Sequence, residues 1–243
     1  MRRDILEYLW RRFPHHCIVL TDAGTYSVID LGIARAATHG FRKAEDVCSW
    51  IVLMIYFGSY FDEDLQYPWA ALALKEAQGL DRTSAIQRLF AHMNEATDAM
   101  LGENGVNYRK ALSFVGKLDF DVILRDQKGD LQQSLRRWMH VVFPEKSAVL
   151  SEECKVVVTA SAAKWAEKYG LGERCGAIVS LLFLLLSGSR SDQDPIRPWI
   201  SGSLTATGVA DPEAKTRLVY ETLRSTLRRF AKLDRFRDAE TEA

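Results

Sequence analysis

WIVLMIYFG, Trp50 to Gly58, and SLLFLLLSG, Ser180 to Gly188, are the two stretches on which the fold turns. Both are apolar at nearly every position, both end on glycine, and they lie 130 residues apart. A helix without a polar face has to be buried on all sides. The stretches therefore predict two central helices, one over about Lys43 to Phe57 and one over Ala177 to Leu186.

The same spacing holds on either side of them. FPHHCIVLT, from Phe13, lies over FPEKSAVLS, from Phe143, and Val28 and Ala36 meet Val158 and Ala166. Gly40 falls on Gly170, Gly58 on Gly188, Ser59 on Ser189, Asp62 on Asp192 and Asp64 on Asp194. Pro68-Trp69 lands on Pro198-Trp199, and Asp81 on Asp211. No gap is needed from Phe13 to Trp69, and the matches gather at Gly, Pro and Trp, the residues that punctuate a fold. The expectation is an all-α protein, two tandem, divergent copies of a helical unit packed as a bundle. Helical repeat 1 covers 1–112, a connecting segment 113–130, and helical repeat 2 covers 131–243.

Local signals give the helices within each copy. The first runs from about Thr21 to His39 and stops at Gly40; Ser151-Glu152-Glu153 and Gly170 bracket its counterpart. An acidic loop follows the central helix, and proline before tryptophan marks the next helix start, with the indole turned into the core. A longer helix begins after Asp81 and runs to about Met100; its counterpart begins after Asp211-Pro212-Glu213. A helix is expected from about Tyr108 to Val115, LDFDVILRDQKGD has no clear assignment, and the residues from about Leu233 read as a solvated tail.

Composition narrows the function classes. The chain has 243 residues, 47% hydrophobic and 26% charged, with 32 basic against 32 acidic side chains. That supports an ordered core, and the even charge argues against non-specific binding to nucleic acid or anionic membrane. MRRDILEYLWRRF lacks the apolar run of a secretory signal, and Ala177–Leu186 is far shorter than the ~20 residues that span a bilayer. Cys17, Cys48, Cys154 and Cys175 show no CxxC spacing and read as buried or free thiols. A cytoplasmic protein with no membrane span is expected.

Candidate chemistry is sparse. Asp62, Glu63 and Asp64 suggest a cation site or an acid/base pair, but both aspartates recur in the second copy, as loop residues that satisfy backbone amides would. His15, His16 and Cys17 have no further ligands at orderly spacing, and the second copy has Glu145, Lys146 and Ser147 there. Ser187, Ser189 and Ser191 lack the GxSxG elbow of a serine nucleophile. No phosphate-cradling glycine motif is present. Arg217, Arg224, Arg228 and Arg229, with Lys232, Arg235 and Arg237, form the clearest basic run, which reads as the solvated face of a helix before it reads as a nucleic-acid site. No catalytic residue, metal site or cofactor is assigned.

Aromatic residues point instead to a surface. Tyr60, Phe61, Tyr67 and Trp69 crowd the first acidic loop, whereas the second copy has Arg190, Ser191 and Arg197 and keeps only Trp199. Side chains dropped from one copy are less needed by the fold, and tyrosine favours interfaces. The residues expected to meet a partner are Tyr60, Phe61, Asp62, Glu63, Asp64 and Tyr67. The competing explanation is that the two halves pack differently.

The pattern Gly40, Glu45-Asp46-Val47, Phe57-Gly58, Phe61-Asp62, Pro68-Trp69-Ala70 resembles small helical accessory proteins encoded in bacterial type VI secretion gene clusters. The likeness covers about Phe13 to Leu74. The second copy keeps only the skeleton, with Cys175-Gly176 in place of the Glu-Asp pair and Ser191 in place of Phe61. The resemblance implies a non-enzymatic adaptor or chaperone whose protein partner is a secretion effector or a spike or loading protein. An immunity protein that neutralises a cytosol-acting toxin is the alternative, and an effector enzyme a third reading. It carries over no catalytic residues.

Overall fold

In the computed structural model, residues 1–206 and 208–241 are described, with side chains described as far as Arg229. The protein is all-α. Thirteen α-helices and two one-turn 3₁₀ segments make up the regular structure of the described residues. In chain order they are α1 (Arg2–Arg12), α2 (Pro14–Thr38), α3 (Ala44–Phe57), α4 (Pro68–Glu76) and α5 (Arg82–Leu101). Then come α6 (Val106–Lys117), α7 (Phe120–Leu124), α8 (Leu131–Val142) and α9 (Pro144–Val149). The last four are α10 (Glu152–Lys168), α11 (Glu173–Ser187), α12 (Pro198–Leu204) and α13 (Pro212–Thr241).

Sequence explains most of the boundaries. Proline occupies the first position of α2, α4, α9, α12 and α13, where its missing N–H loses nothing. Asp130 and Ser151 accept from the backbone N–H of Gln133 and Cys154, capping α8 and α10. Asp81 and Asp211 do the same for Ser84 and Ala214, at 3.1 and 2.6 Å. α2 and α10 close alike: the N–H of Phe41 reaches the carbonyl of Ala36, and that of Leu171 the carbonyl of Ala166. Gly40 and Gly170 turn these corners at φ +80° and +59°, where any residue with a Cβ is strained.

Four elements differ from the sequence expectation. The first helix starts at Pro14 and not at Thr21, with the backbone leaving the helical region at Thr21 (φ 61°, ψ 172°). In the matching position Ser151 is a regular cap, so the second copy breaks its chain into two helices there. Arg2–Arg12 is helical and carries buried Ile5 and Leu9, as α8 carries buried Leu135 and Met139 at the same spacing. The unassigned stretch holds α7, capped by Asp119 and anchored by buried Phe120 and Ile123. α13 continues to Thr241 where a tail is expected; the solvation of its side chains from Phe230 on lies outside the described residues.

The chain divides into two compact units, and these do not follow the repeat boundaries. Unit 1 is Met1–Ala96 with Ser187–Ser201; unit 2 is Thr97–Leu186 with Gly202–Ala243. In unit 1, α1, α2 and α3 pack on one another around Ile5, Val28, Ile29, Trp50, Ile51 and Met54. α2 is long and apolar enough by length and composition to cross a membrane. In the fold it is interrupted at Thr21, and Cys17, Leu20, Val28, Ile29 and Ala36 are buried along it.

In unit 2 every residue from Ala177 to Leu186 is buried, Ser180 included. α13 packs along α6 and places two arginines of its basic run there. The Nε groups of Arg224 and Arg228 both donate to the carbonyl of Gly116, and the Tyr220 hydroxyl to those of Val115 and Leu118, so together they satisfy the open C-terminus of α6. Arg217 pairs with Asp121 at 2.9 Å. Cys17, Cys154 and Cys175 are buried, and Cys48 is half-buried.

Candidate functional site: two loops in reciprocal register

Within unit 1 the loop after α3 (residues 58–67) meets the loop after α11 (residues 188–197). The Asp64 carboxylate accepts from the N–H and the hydroxyl of Ser189, both at 2.7 Å. The Asp194 carboxylate accepts from the N–H and the hydroxyl of Ser59, at 3.1 and 2.6 Å. Each aspartate also closes its own loop by accepting from the backbone N–H two residues on, Gln66 at 3.0 Å and Ile196 at 2.9 Å. Each of these bonds thus has a counterpart 130 residues away in the other loop.

The glycines complete the pattern. Gly58 and Gly188 have φ of +99° and +93°. A Cβ on Gly58 would press on the Ser187 carbonyl oxygen at 3.2 Å, and one on Gly188 on the Phe57 carbonyl oxygen at the same distance. Close approach and a positive φ both require glycine at these two points.

Around this frame sits a charged cluster. Arg35, in the last turn of α2, and His39, its C-cap, both reach Asp62: Arg35 Nη2 is 2.6 Å from Oδ1, and His39 Nε2 is 2.9 Å from Oδ2. The Asp62 side chain is 2% exposed. Burial pushes its carboxyl up, but the hydrogen bonds and charges of His39 and Arg35 outweigh that and hold it below the usual carboxylate range. Glu63 turns outward, with its side chain 54% exposed, and pairs with Arg35 at 2.9 Å and Arg190 at 2.7 Å. The Tyr60 ring packs against both guanidiniums, 4.9 Å from Arg35 and 4.4 Å from Arg190.

The residues expected to meet a partner therefore separate into two groups. Glu63 and half-buried Tyr60 lie at the surface. Phe61 and Tyr67 do not: they are 1% and 6% exposed. Phe61 lies between Trp50 and Trp69, with ring centroids 4.9 and 5.9 Å away, and Tyr67 abuts Phe57 at 5.2 Å. These two are core residues, and the second explanation for their loss from the other copy, different packing of the halves, is the one that describes them. Asp62 and Asp64 are taken up by internal bonds and offer little to a partner.

Arg35, His39 and Arg190 join the site without having been singled out. The i, i+4 spacing of Arg35 and His39 is the signal that could have paired them on one face of α2. Their shared target, Asp62, lies 27 and 23 residues further on, and its place in the acidic cluster does not link it to them. Trp199 is half-buried, whereas its counterpart Trp69 is buried and packs on Phe57 as well as Phe61.

Beside this cluster the α2–α3 corner, α4 and the start of α5 enclose a solvent-open cavity of about 640 Å³, with His39 and Asp62 in its wall. No protein-family model matches the sequence, no curated protein is detectably similar to it, and no solved structure matches its fold.

Proposed function

We propose that this protein is a non-enzymatic accessory protein that binds another protein through the outer face of its paired loops. One observation carries the reading. Glu63, Leu65 and Arg190 project from loops whose backbones are held by the two carboxylate clamps, with side chains or residues about half exposed. A surface that is rigid before binding loses little conformational freedom on association. An exposed Leu65 on the same loop as a Tyr60 held between two arginines combines apolar and polar contact, as interface centres do.

In line with the type VI secretion resemblance, the partner is a secretion effector or the spike or loading protein that carries it. The charge arrangement favours an adaptor or chaperone over an immunity protein for a basic toxin. Asp192 and Asp194 are buried, Asp62 is paired, and Glu63 is balanced by two arginines, so the loops do not add up to an acidic face.

Affinity purification of the tagged protein from its native cells tests this. Recovery of an effector with a spike or loading protein, lost in a Glu63→Lys/Leu65→Asp variant that still folds, is the expected result. A toxin bound alone would turn the reading to immunity. Partner recovery unchanged by the variant would remove the loop face from the account.

A further inference from the structure

We propose that the cavity between the α2–α3 corner and α4 is a binding site for a carboxylate carried on a short apolar group. The argument starts from which side chains one helix face can present together. On α4 and the turn that follows it, Ala71, Leu74, Lys75 and Gln78 follow the i, i+3, i+4, i+7 spacing and line one wall. His39 and Arg82 stand on the other side, and the volume of about 640 Å³ suits a small organic ligand or a chain end.

Charge balance selects an anion. Asp62 is the one acidic side chain in the wall, and Arg35 and His39 hold both of its oxygens. Glu76 faces His92 and Arg88 on another side of α4, and Asp81 caps α5 through Ser84. Lys75 and Arg82 thus line the cavity with no carboxylate partner among the described residues. Arg82 is also positioned: one of its Nη groups donates to the His39 carbonyl at 3.2 Å, and its guanidinium lies 5.8 Å from the Phe41 ring centre. It fits there because Gly40 lacks a Cβ, which would come within 2.8 Å of the guanidinium carbon.

Two features favour a monoanion over a phosphate. The wall includes Thr38 at the C-terminus of α2 and Ala77 at that of α4, whose carbonyl ends carry roughly half a negative charge each and penalise a dianion. Arg82 presents a planar fork suited to a carboxylate. Leu74, Ala71 and Ala77 supply the apolar contact for the carbon next to it. A free organic acid and the C-terminus of a partner chain share this chemistry. The site does not depend on the loop face argued above.

The test is isothermal titration calorimetry of the full chain at neutral pH. The probes are 4-methylpentanoate, acetyl-glycyl-leucine with a free carboxyl, the amide of each, and inorganic phosphate. Both carboxylates are expected to bind, each at least roughly tenfold tighter than its amide or phosphate. Lys75→Gln, at an exposed position, and Arg82→Gln should each weaken binding by roughly fivefold or more with melting unchanged. Tighter binding of the peptide would assign the site to a chain terminus, and tighter binding of the acid to a small molecule. No binding at millimolar concentration, equal binding of the amides, preference for phosphate, or full binding by Lys75→Gln would overturn the proposal.

Discussion

The loops after α3 and α11 share a frame and differ in almost everything attached to it. Gly58, Ser59 and Asp64 do in one what Gly188, Ser189 and Asp194 do in the other. Between these fixed points the side chains change character. Tyr60, Phe61 and Tyr67 become Arg190, Ser191 and Arg197, while on the preceding helices Arg35 and His39 become Trp165 and Tyr169. The first copy thus sets aromatic loop residues against a charged helix face, and the second carries the reverse composition. Backbone requirements persist through such divergence because few residues meet them, whereas a packed or paired neighbourhood can be rebuilt around different side chains.

The comparison breaks most visibly in the core. Phe61→Ala should cost about 3–5 kcal/mol, because Phe61 fills the space between two tryptophans, while Ser191→Ala should be near neutral. Trp69→Ala should likewise cost far more than Trp199→Ala, in keeping with their burial. Urea unfolding followed by circular dichroism measures all four, and equal losses at Phe61 and Ser191 would show the two loops to be packed alike.

The clamps come next. Asp64→Ala and Asp194→Ala each leave a serine N–H and hydroxyl without an acceptor, at about 2–3 kcal/mol. Because the bonds join the same two loops, the double variant should lose less than the two single losses added. Additive losses would mean that the loops hold their shapes independently. Gly58→Ala and Gly188→Ala should each cost at least about 1–2 kcal/mol, and by similar amounts, since φ and crowding match.

Acid should act on the first copy through Asp62. Its folded pKa is below its unfolded value, so its contribution is present above the unfolded pKa near ~3.9 and fades as pH falls through the folded value. Asp62→Asn should therefore lower the urea midpoint at pH 6 and flatten its fall between about pH 5 and 2. An unchanged acid limb would show that the Arg35–Asp62 pair adds nothing to stability. The smallest stability effect, within about 0.5 kcal/mol, is expected for Glu63→Lys, which lies at the surface; its readout is partner recovery.

Much of this fold was legible along the chain. Two nearly all-apolar runs announced buried helices, which holds throughout Ala177–Leu186 while α3 leaves Tyr56 exposed, and Pro, Gly and Asp at fixed offsets marked where helices start and stop. Of the recurring aspartates, read as loop residues that satisfy backbone amides, Asp62 instead bonds the side chains of Arg35 and His39, while Asp64 and Asp194 do hold amides. Their amides, however, belong in part to the other loop, and no local signal reports a bond across 125 or 135 residues. The aromatic residues misled for a related reason. A tyrosine in a polar loop has the same composition whether it faces solvent or turns inward against Phe57, and α1 and α7 were passed over because short helices depend on packing more than on propensity.

Sequence alone determined the all-α class and most of the residues that punctuate it, because capping, proline geometry and positive φ are properties of a few adjacent residues. Tertiary structure alone decided that Asp64 and Asp194 clamp each other's loops, that Phe61 and Tyr67 are core, and that Arg35 and His39 converge on Asp62. It also decided that Lys75 and Arg82 line one cavity with no carboxylate partner among the described residues. Those outcomes depend on which distant surfaces exclude water together, and burial and electrostatic balance are set by the three-dimensional neighbourhood and not by position along the chain.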